Sequence, residues 1–220
     1  MYKFYFVALI IISSTALTKA QNSHKISISK FATINFPSAP LIFDTLGVKT
    51  YRYSNDFADY LVAVKDMTKI DGFYLRAENL KDFYRGLEES TLEGDKAKLI
   101  SKKPFIVNGL EGIEMTYLGL TPSLPDLKFK RAIFINGIVI SIDFMTSVED
   151  KLQTQAEREL FFNSFSIIGK KTDLKQETIN HQVEEKQNFN YILGRLFGYL
   201  FIIVFIIWLC RAFRTKKSKG

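Results

Sequence analysis

Histidine and cysteine are almost absent from this chain of 220 residues: His24, His181 and Cys210 are all it has. Between Lys25 and Asn180 there is neither. That excludes Ser-His-Asp and Cys-His hydrolysis and the usual zinc sites from that region. It also excludes disulfides, so any domain there must cohere through its core alone. Gly-x-Ser-x-Gly, a P-loop and Gly-x-Gly-x-x-Gly are missing too. No catalytic, cofactor-binding or metal-ligating residue is assigned, and no cofactor is expected. No Asn-x-Ser/Thr sequon occurs, which favours a bacterial envelope over a eukaryotic secretory route. Internal repeats are absent.

What the chain does have is two apolar segments near its ends. Lys3 precedes the unbroken apolar run Phe4 to Ile12, and Thr18-Lys19-Ala20 places small residues at −3 and −1 of a cleavage site. Residues 1–20 are therefore expected to be a signal peptide, since the run is shorter than the ~20 residues a spanning helix needs. Residues 191–213 are expected to form one transmembrane helix. Leu196 to Cys210 carries no charge, Arg195 and Arg211 lie near its ends, and Trp208 sits near one boundary. Arg211, Arg214, Lys216, Lys217 and Lys219 follow with no acid among them, the positive-inside pattern. The expected topology is a single-pass protein of the cell inner membrane. Its N-terminal domain lies outside the cytoplasm, and the basic tail 214–220 lies inside.

Those five cations with Lys3 and Lys19 account for the net charge of +7. The segment between is neutral, so the basic balance does not point to nucleic acid. The partners expected are the lipid bilayer through the C-terminal helix and an envelope protein. Gly194-Arg-Leu-Phe-Gly198 matches Gly-x-x-x-Gly, so Gly194 and Gly198 would serve a homodimer. Cys210 reads as an apolar membrane residue, with lipidation the alternative.

Residues 21–168 are expected to form an extracytoplasmic α+β domain, long enough to bury about two thirds of its unfolded surface. Period-two alternation runs through Ile26 to Ser29, Tyr51 and Tyr53, and Tyr60 to Val64. Asn55-Asp56 between the last two suggests a hairpin. Leu80, Phe83, Tyr84 and Leu87 fall at i, i+3, i+4 and i+7. They predict an amphipathic helix over about Ala77 to Leu92 that stops at Gly94. Asn108-Gly109 and Asn136-Gly137 each separate two alternating runs, the strongest short-range hairpin signal. Ser147 with Asp150 offers a helix N-cap, and Leu152, Ala156 and Leu160 mark the expected inner face of a second helix. Fourteen per cent aromatic residues predicts a core rich in Phe and Tyr. Residues 169–190 turn polar and read as a stalk, in which Ile179 and Val183 could share one side of a short helix.

Several segments together resemble the PsbP-like α/β/α sandwich superfamily, in its bacterial exported branch. They are Phe36-Pro37-Ser38-Ala39-Pro40, Tyr60-Leu-Val-Ala-Val64 and Asn108-Gly-Leu-Glu-Gly112-Ile-Glu114. Arg131-Ala-Ile-Phe-Ile-Asn-Gly137 and Phe161-Phe-Asn-Ser-Phe165 complete the set. The resemblance spans most of Phe31 to Ile168, and the C-terminal span is an addition to it. It implies a mostly antiparallel sheet with two main helices, and binding or assembly more often than catalysis.

Three chemistries compete on the residues. A tethered, non-enzymatic binding or assembly module fits the missing catalytic groups. A carboxylate-based hydrolase would need Glu88 with Glu89, Glu111 with Glu114, Glu149 with Asp150, or Glu111, Glu114 and Asp143 together, to meet in one cleft. A small-ligand or lipid carrier would need a deep apolar pocket. Lys102-Lys103-Pro104 and Lys128 to Arg131 read either as a basic patch or as the guard of an edge strand.

Overall fold

The computed structural model describes residues 23–70, 73–121, 124–178 and 196. Among these residues ten strands form two antiparallel sheets. The seven-stranded sheet contains β3 (Leu41–Thr45), β4 (Val48–Ser54), β5 (Ala58–Asp66), β6 (Lys98–Val107), β7 (Leu110–Leu118), β8 (Leu127–Ile135) and β9 (Ile138–Thr146), in the order β3-β4-β5-β9-β8-β7-β6. A three-stranded sheet contains β1 (His24–Ser29), β2 (Ala32–Phe36) and β10 (Ser166–Ile167), with β2 in the middle. Two helices, α1 (Leu80–Gly94) and α2 (Gln155–Asn163), complete the α+β fold.

The hairpin chemistry is local. Asn108 and Gly109 sit at φ 50° and 73°, and Asn136 and Gly137 at φ 47° and 79°. Both central residues of each turn have the positive φ that a type I′ turn needs, so the expected hairpins β6-β7 and β8-β9 form. The Tyr51/Tyr60 hairpin is also present as β4-β5. A further hairpin, β3-β4, turns at Leu46-Gly47, with φ 54° and 71°.

The large sheet is covered on both faces. On one, α1 buries Leu80, Phe83, Tyr84 and Leu87 against Ile113, Met115, Ala132, Phe134 and Val139. On the other, β1, β2, β10 and α2 bring Ile34, Phe36, Phe161 and Phe165 onto Tyr60, Ile142 and Phe144. The aromatic content lies in these two cores: Tyr51, Tyr60, Phe36, Phe83, Phe134 and Phe144 are among the largest fully buried side chains. Each ring buries roughly 150–250 Å². Because both faces are covered there, β9 sends Ile140, Ile142 and Phe144 to one side and Val139, Ser141 and Asp143 to the other, and hardly meets solvent.

Three expectations need correction. Residues 77–79 form a 3-10 turn rather than the first α turn, and Gly94 is inside α1 with Asp95 as its cap. Leu152, Ala156 and Leu160 do not face the core: Leu152 is 81% and Leu160 65% exposed. The inner face of α2 is instead carried by Phe161 and Phe162 at its end, with Thr154 at its start. The Ser147-Asp150 cap is real, with the Asp150 N–H donating to Ser147 Oγ at 3.0 Å, but it belongs to the 3-10 turn Glu149–Lys151 before α2.

The third concerns the stalk. Residues 169–178 lie along the domain. Leu174 is buried in the core, Asn136 N–H donates to the Lys175 carbonyl at 2.7 Å, and Thr178 N–H to the Leu75 carbonyl at 2.8 Å. Gln176 shows why. The β7-β8 ladder ends at Ile113 opposite Ala132. Here Gly112 lies under the Phe105 ring, and a Cβ on it would stand 2.7 Å from the Ala132 carbonyl oxygen. Past that point the strands part. The Gln176 side-chain amide fills the gap, accepting from Glu111 N–H at 2.9 Å and donating to the Glu111 and Phe134 carbonyls at 2.6 and 3.2 Å. The buried Tyr84 hydroxyl accepts from Phe134 N–H at 3.0 Å. One side chain thus stands in for a stretch of backbone. The expected signal peptide and transmembrane helix lie outside the described residues, Leu196 excepted, as does the proposed short helix at Ile179 and Val183. No helix among the described residues is long and apolar enough to cross a membrane.

Two stability outcomes follow. Leu152→Gln should change the unfolding free energy by no more than ~0.5 kcal/mol, whereas Phe161→Ala should cost about 3–5 kcal/mol, both read by urea denaturation. Gln176→Ala should cost about 1–3 kcal/mol, because it strands the Glu111 N–H and the Phe134 carbonyl, while Tyr84 still serves the Glu111 carbonyl and the Phe134 N–H. Faster hydrogen exchange at the Glu111 amide would accompany it.

Candidate functional site

Charges inside a doubly covered sheet must be neutralised, and on the α1 side they are. Lys130 on β8 lies opposite Asp143 on β9, with Nζ 2.6 Å from the carboxylate and 2.9 Å from Ser141 Oγ. Ser141 Oγ donates in turn to Asp143 at 2.8 Å. Lys128 reaches Asp95, just past α1, at 2.6 Å, and Thr121 also donates to that carboxylate. Arg52 on β4 meets Asp59 on β5 at 2.7 Å, with Ser54 as a further donor. All six charged groups are buried. Burial pushes the Tyr117 hydroxyl beside them far above its ordinary range, and Asp143 and Asp95 add to this. Each ion has its counter-ion, and the three carboxylates each accept a further hydrogen bond from a hydroxyl, an arrangement that fixes strand register and leaves little for a substrate.

The carboxylate pairs read from the sequence do not converge. Glu88 is buried against Lys102, at 2.7 Å, while the adjacent Glu89 is half-buried. Glu111 is exposed on the α1 side of β7, and Glu114 projects from the opposite face. Burial acts to raise the Glu114 carboxyl, but bonds from Arg131 at 2.7 Å and Lys103 at 3.1 Å outweigh it and hold it below the ordinary range. Asp143 belongs to the Lys130 pair on the α1 face. Glu149 is exposed, and Asp150 is engaged by Ser147. Nor do the basic runs make a patch. Lys102 and Lys103 stand on the edge strand β6 and pair with Glu88 and Glu114, while Lys128 and Lys130 are buried in their pairs. Among the described residues no group of three His, Cys, Asp or Glu could hold a metal ion.

A concave feature lies on the other face. β2, the start of β5 and α2 enclose an open cleft of about 300 Å³. Its walls are Phe36 and Pro37 from the end of β2 and Leu160 and Phe161 from α2; its polar groups are Tyr60, Glu157, Ser164 and Asn35. Phe36 and Pro37, Tyr60, and Phe161 and Ser164 thus meet in one place, although the sequence patterns around them are those of turns and core.

The rings hold one another at edge-on angles. Phe161 lies 5.3 Å from Phe36 and 5.1 Å from Tyr60, and Tyr60 lies 5.0 Å from Phe144. Such contacts contribute roughly 0.5–1.5 kcal/mol each beyond their buried area, so the walls are rigid. Ser164 Oγ accepts from Asn35 N–H at 3.0 Å and ties α2 to β2. The Tyr60 hydroxyl donates to Glu157 Oε2, and Asn55 Nδ2 donates to the same oxygen at 3.4 Å. Asn55 is itself fixed, because its Oδ1 caps the β4-β5 turn by accepting from Phe57 and Ala58 N–H. Burial pushes the Tyr60 hydroxyl far above its ordinary range and the Glu157 carboxylate adds to this, so it remains a donor. Glu157 carries no sequence signal: it is one acid on a short helix whose apparent apolar stripe points elsewhere.

Lys130→Met should destabilise the domain by about 3–5 kcal/mol, because it leaves Asp143 buried without a counter-ion. Adding Asp143→Leu to that variant should restore most of the loss. Thermal or urea unfolding of the two variants checks this, and a single mutant as stable as the parent would mean that the pair is not desolvated.

No protein-family model matches the chain, and no curated protein does. Among solved structures it is similar to the solution structure of cyanobacterial PsbP (CyanoP) from Synechocystis sp. PCC 6803. The identity is 12% and the TM-score 0.49, over 69% of this chain and 95% of that one. It is also similar to the crystal structure of PA94, a protein of unknown function from Pseudomonas aeruginosa. There the identity is 14% and the TM-score 0.39, over 62% of this chain and 91% of that one.

Proposed function

We propose that this chain is a membrane-tethered, non-enzymatic binding module of the bacterial envelope, of PsbP-like kind, which engages its ligand or partner at the cleft between β2, β5 and α2. The observation that carries the reading is the cleft itself. It combines rigid aromatic walls with a few convergent polar groups, the usual make-up of a small-ligand site, at the lower end of the roughly 300–1,000 Å³ such sites occupy. Its rim adds weight. Val148, Leu152, Ala156 and Leu160 form an exposed apolar stripe along one side of α2 and the turn before it. The buried ion pairs on the α1 face and the scattered carboxylates favour binding over acid-base catalysis.

The tether rests on the sequence. An export signal at 1–20, a span at 191–213 and a basic tail would place the domain on the outer side of the inner membrane. With residues 169–178 bound to the domain, the polar connection expected before the span is left to residues 179–190.

A photoreactive residue placed at Leu160 in cells should yield adducts, and one at Glu78, remote from the cleft, should not. Alkaline phosphatase fused after Thr178 should be active, and fused after Gly220 inactive. Substrate turnover by the purified chain that Glu157→Gln abolishes would overturn the binding reading in favour of an enzyme.

A further inference from the structure

The buried carboxylates Asp59, Glu88, Asp95 and Asp143 each have a cation at 2.6–2.7 Å, and the half-buried Glu114 has two. Glu157, half-buried at the cleft, has none among the described residues. Its two hydrogen bonds, from Tyr60 and Asn55, both fall on Oε2. Oε1 accepts none among the described residues, although a carboxylate offers about four acceptor positions. The next residue does not supply the charge either: the Arg158 guanidinium is turned onto the Phe129 ring, 3.9 Å from its centroid.

The cleft therefore presents one negative charge with an unused oxygen, held by two donors, above the buried rings of Phe36, Tyr60 and Phe161 and beside the exposed Leu160 side chain. An ammonium group satisfies both features, pairing with the carboxylate while its carbon frame rests on Leu160. A metal ion is a poorer match. Calcium takes about 6–8 oxygens, and here one carboxylate oxygen is already occupied by a hydroxyl and an amide that donate. An anion meets the wrong charge.

We infer that the cleft binds a small organic cation, with the ammonium group on Glu157 and its carbon frame against Leu160 and Pro37. The inference rests on the reading of the cleft as the binding site. It adds the ligand's charge and the residue that selects it.

The test uses the full chain in a nonionic detergent. Titration calorimetry is run with choline, tetramethylammonium and putrescine, and with 3,3-dimethylbutan-1-ol, the uncharged counterpart of choline. At least one cation should bind, and the alcohol should bind at least about tenfold more weakly if choline does. Glu157→Gln, which keeps an acceptor for Tyr60 and Asn55, should weaken the cation about tenfold or more at an unchanged melting temperature. Leu160→Trp, on an exposed position at the rim, should block binding without touching the carboxylate. If the alcohol binds as tightly as choline and Glu157→Gln has no effect, the inference fails and the binding cleft survives. If calcium alone binds and Glu157→Gln removes it, the site is inorganic and the inference fails. If none of the cations binds at millimolar concentration, the inference fails. If, in addition, Leu160 gives no adduct in cells, the binding reading falls with it.

Discussion

The centre of the sheet that organises this domain has water on neither face. β8 and β9 run between α1 on one side and the β1-β2-β10 layer with α2 on the other, and nearly all their residues are buried. A charge there is tolerated only with a counter-ion and hydrogen bonds around it, because desolvating it alone costs several kcal/mol. Lys128, Lys130 and Asp143 meet that condition with Asp95, Ser141 and Thr121. Such pairs contribute little net stability relative to apolar residues, but a register slip of one residue would separate every one of them. A domain without disulfides holds its register by this means and by its two aromatic cores.

The same constraint acts on the backbone. Where β7 and β8 part at Gly112, their amide and carbonyl groups would be left unpaired. Tyr84 from α1 and Gln176 from beyond β10 satisfy them. The helix, the sheet and the chain that leads toward the predicted membrane span are thereby joined at one point. The cleft lies on the opposite face, on residues anchored by ring contacts and by the β4-β5 turn.

Much of the domain could be read from residue order because its signals are local. Asn108-Gly109 and Asn136-Gly137 need positive φ at consecutive residues, and the α1 stripe has the period of a helix. β3 escaped because its turn is Leu46-Gly47, and leucine gives no warning of a left-handed conformation. The face of α2 was misjudged because Leu152, Ala156 and Leu160 imitate an inner stripe, while the burial is done by Phe161 and Phe162 near the helix end. Gln176 and Glu157 were invisible for a different reason. One replaces backbone and the other has no counter-ion among the described residues, and neither property is written in spacing. Both emerge only when distant segments are brought together.

The claim that most depends on this physics is that an unneutralised carboxylate in the cleft beside α2 holds a small organic cation. Native mass spectrometry of the full chain, released gently from the membranes that produce it, addresses this directly. A bound species of low mass on the parent protein, absent from Glu157→Gln and identified as an amine or quaternary ammonium compound, is the result expected. A parent protein that carries no adduct, or carries the same adduct as Glu157→Gln, would contradict the claim.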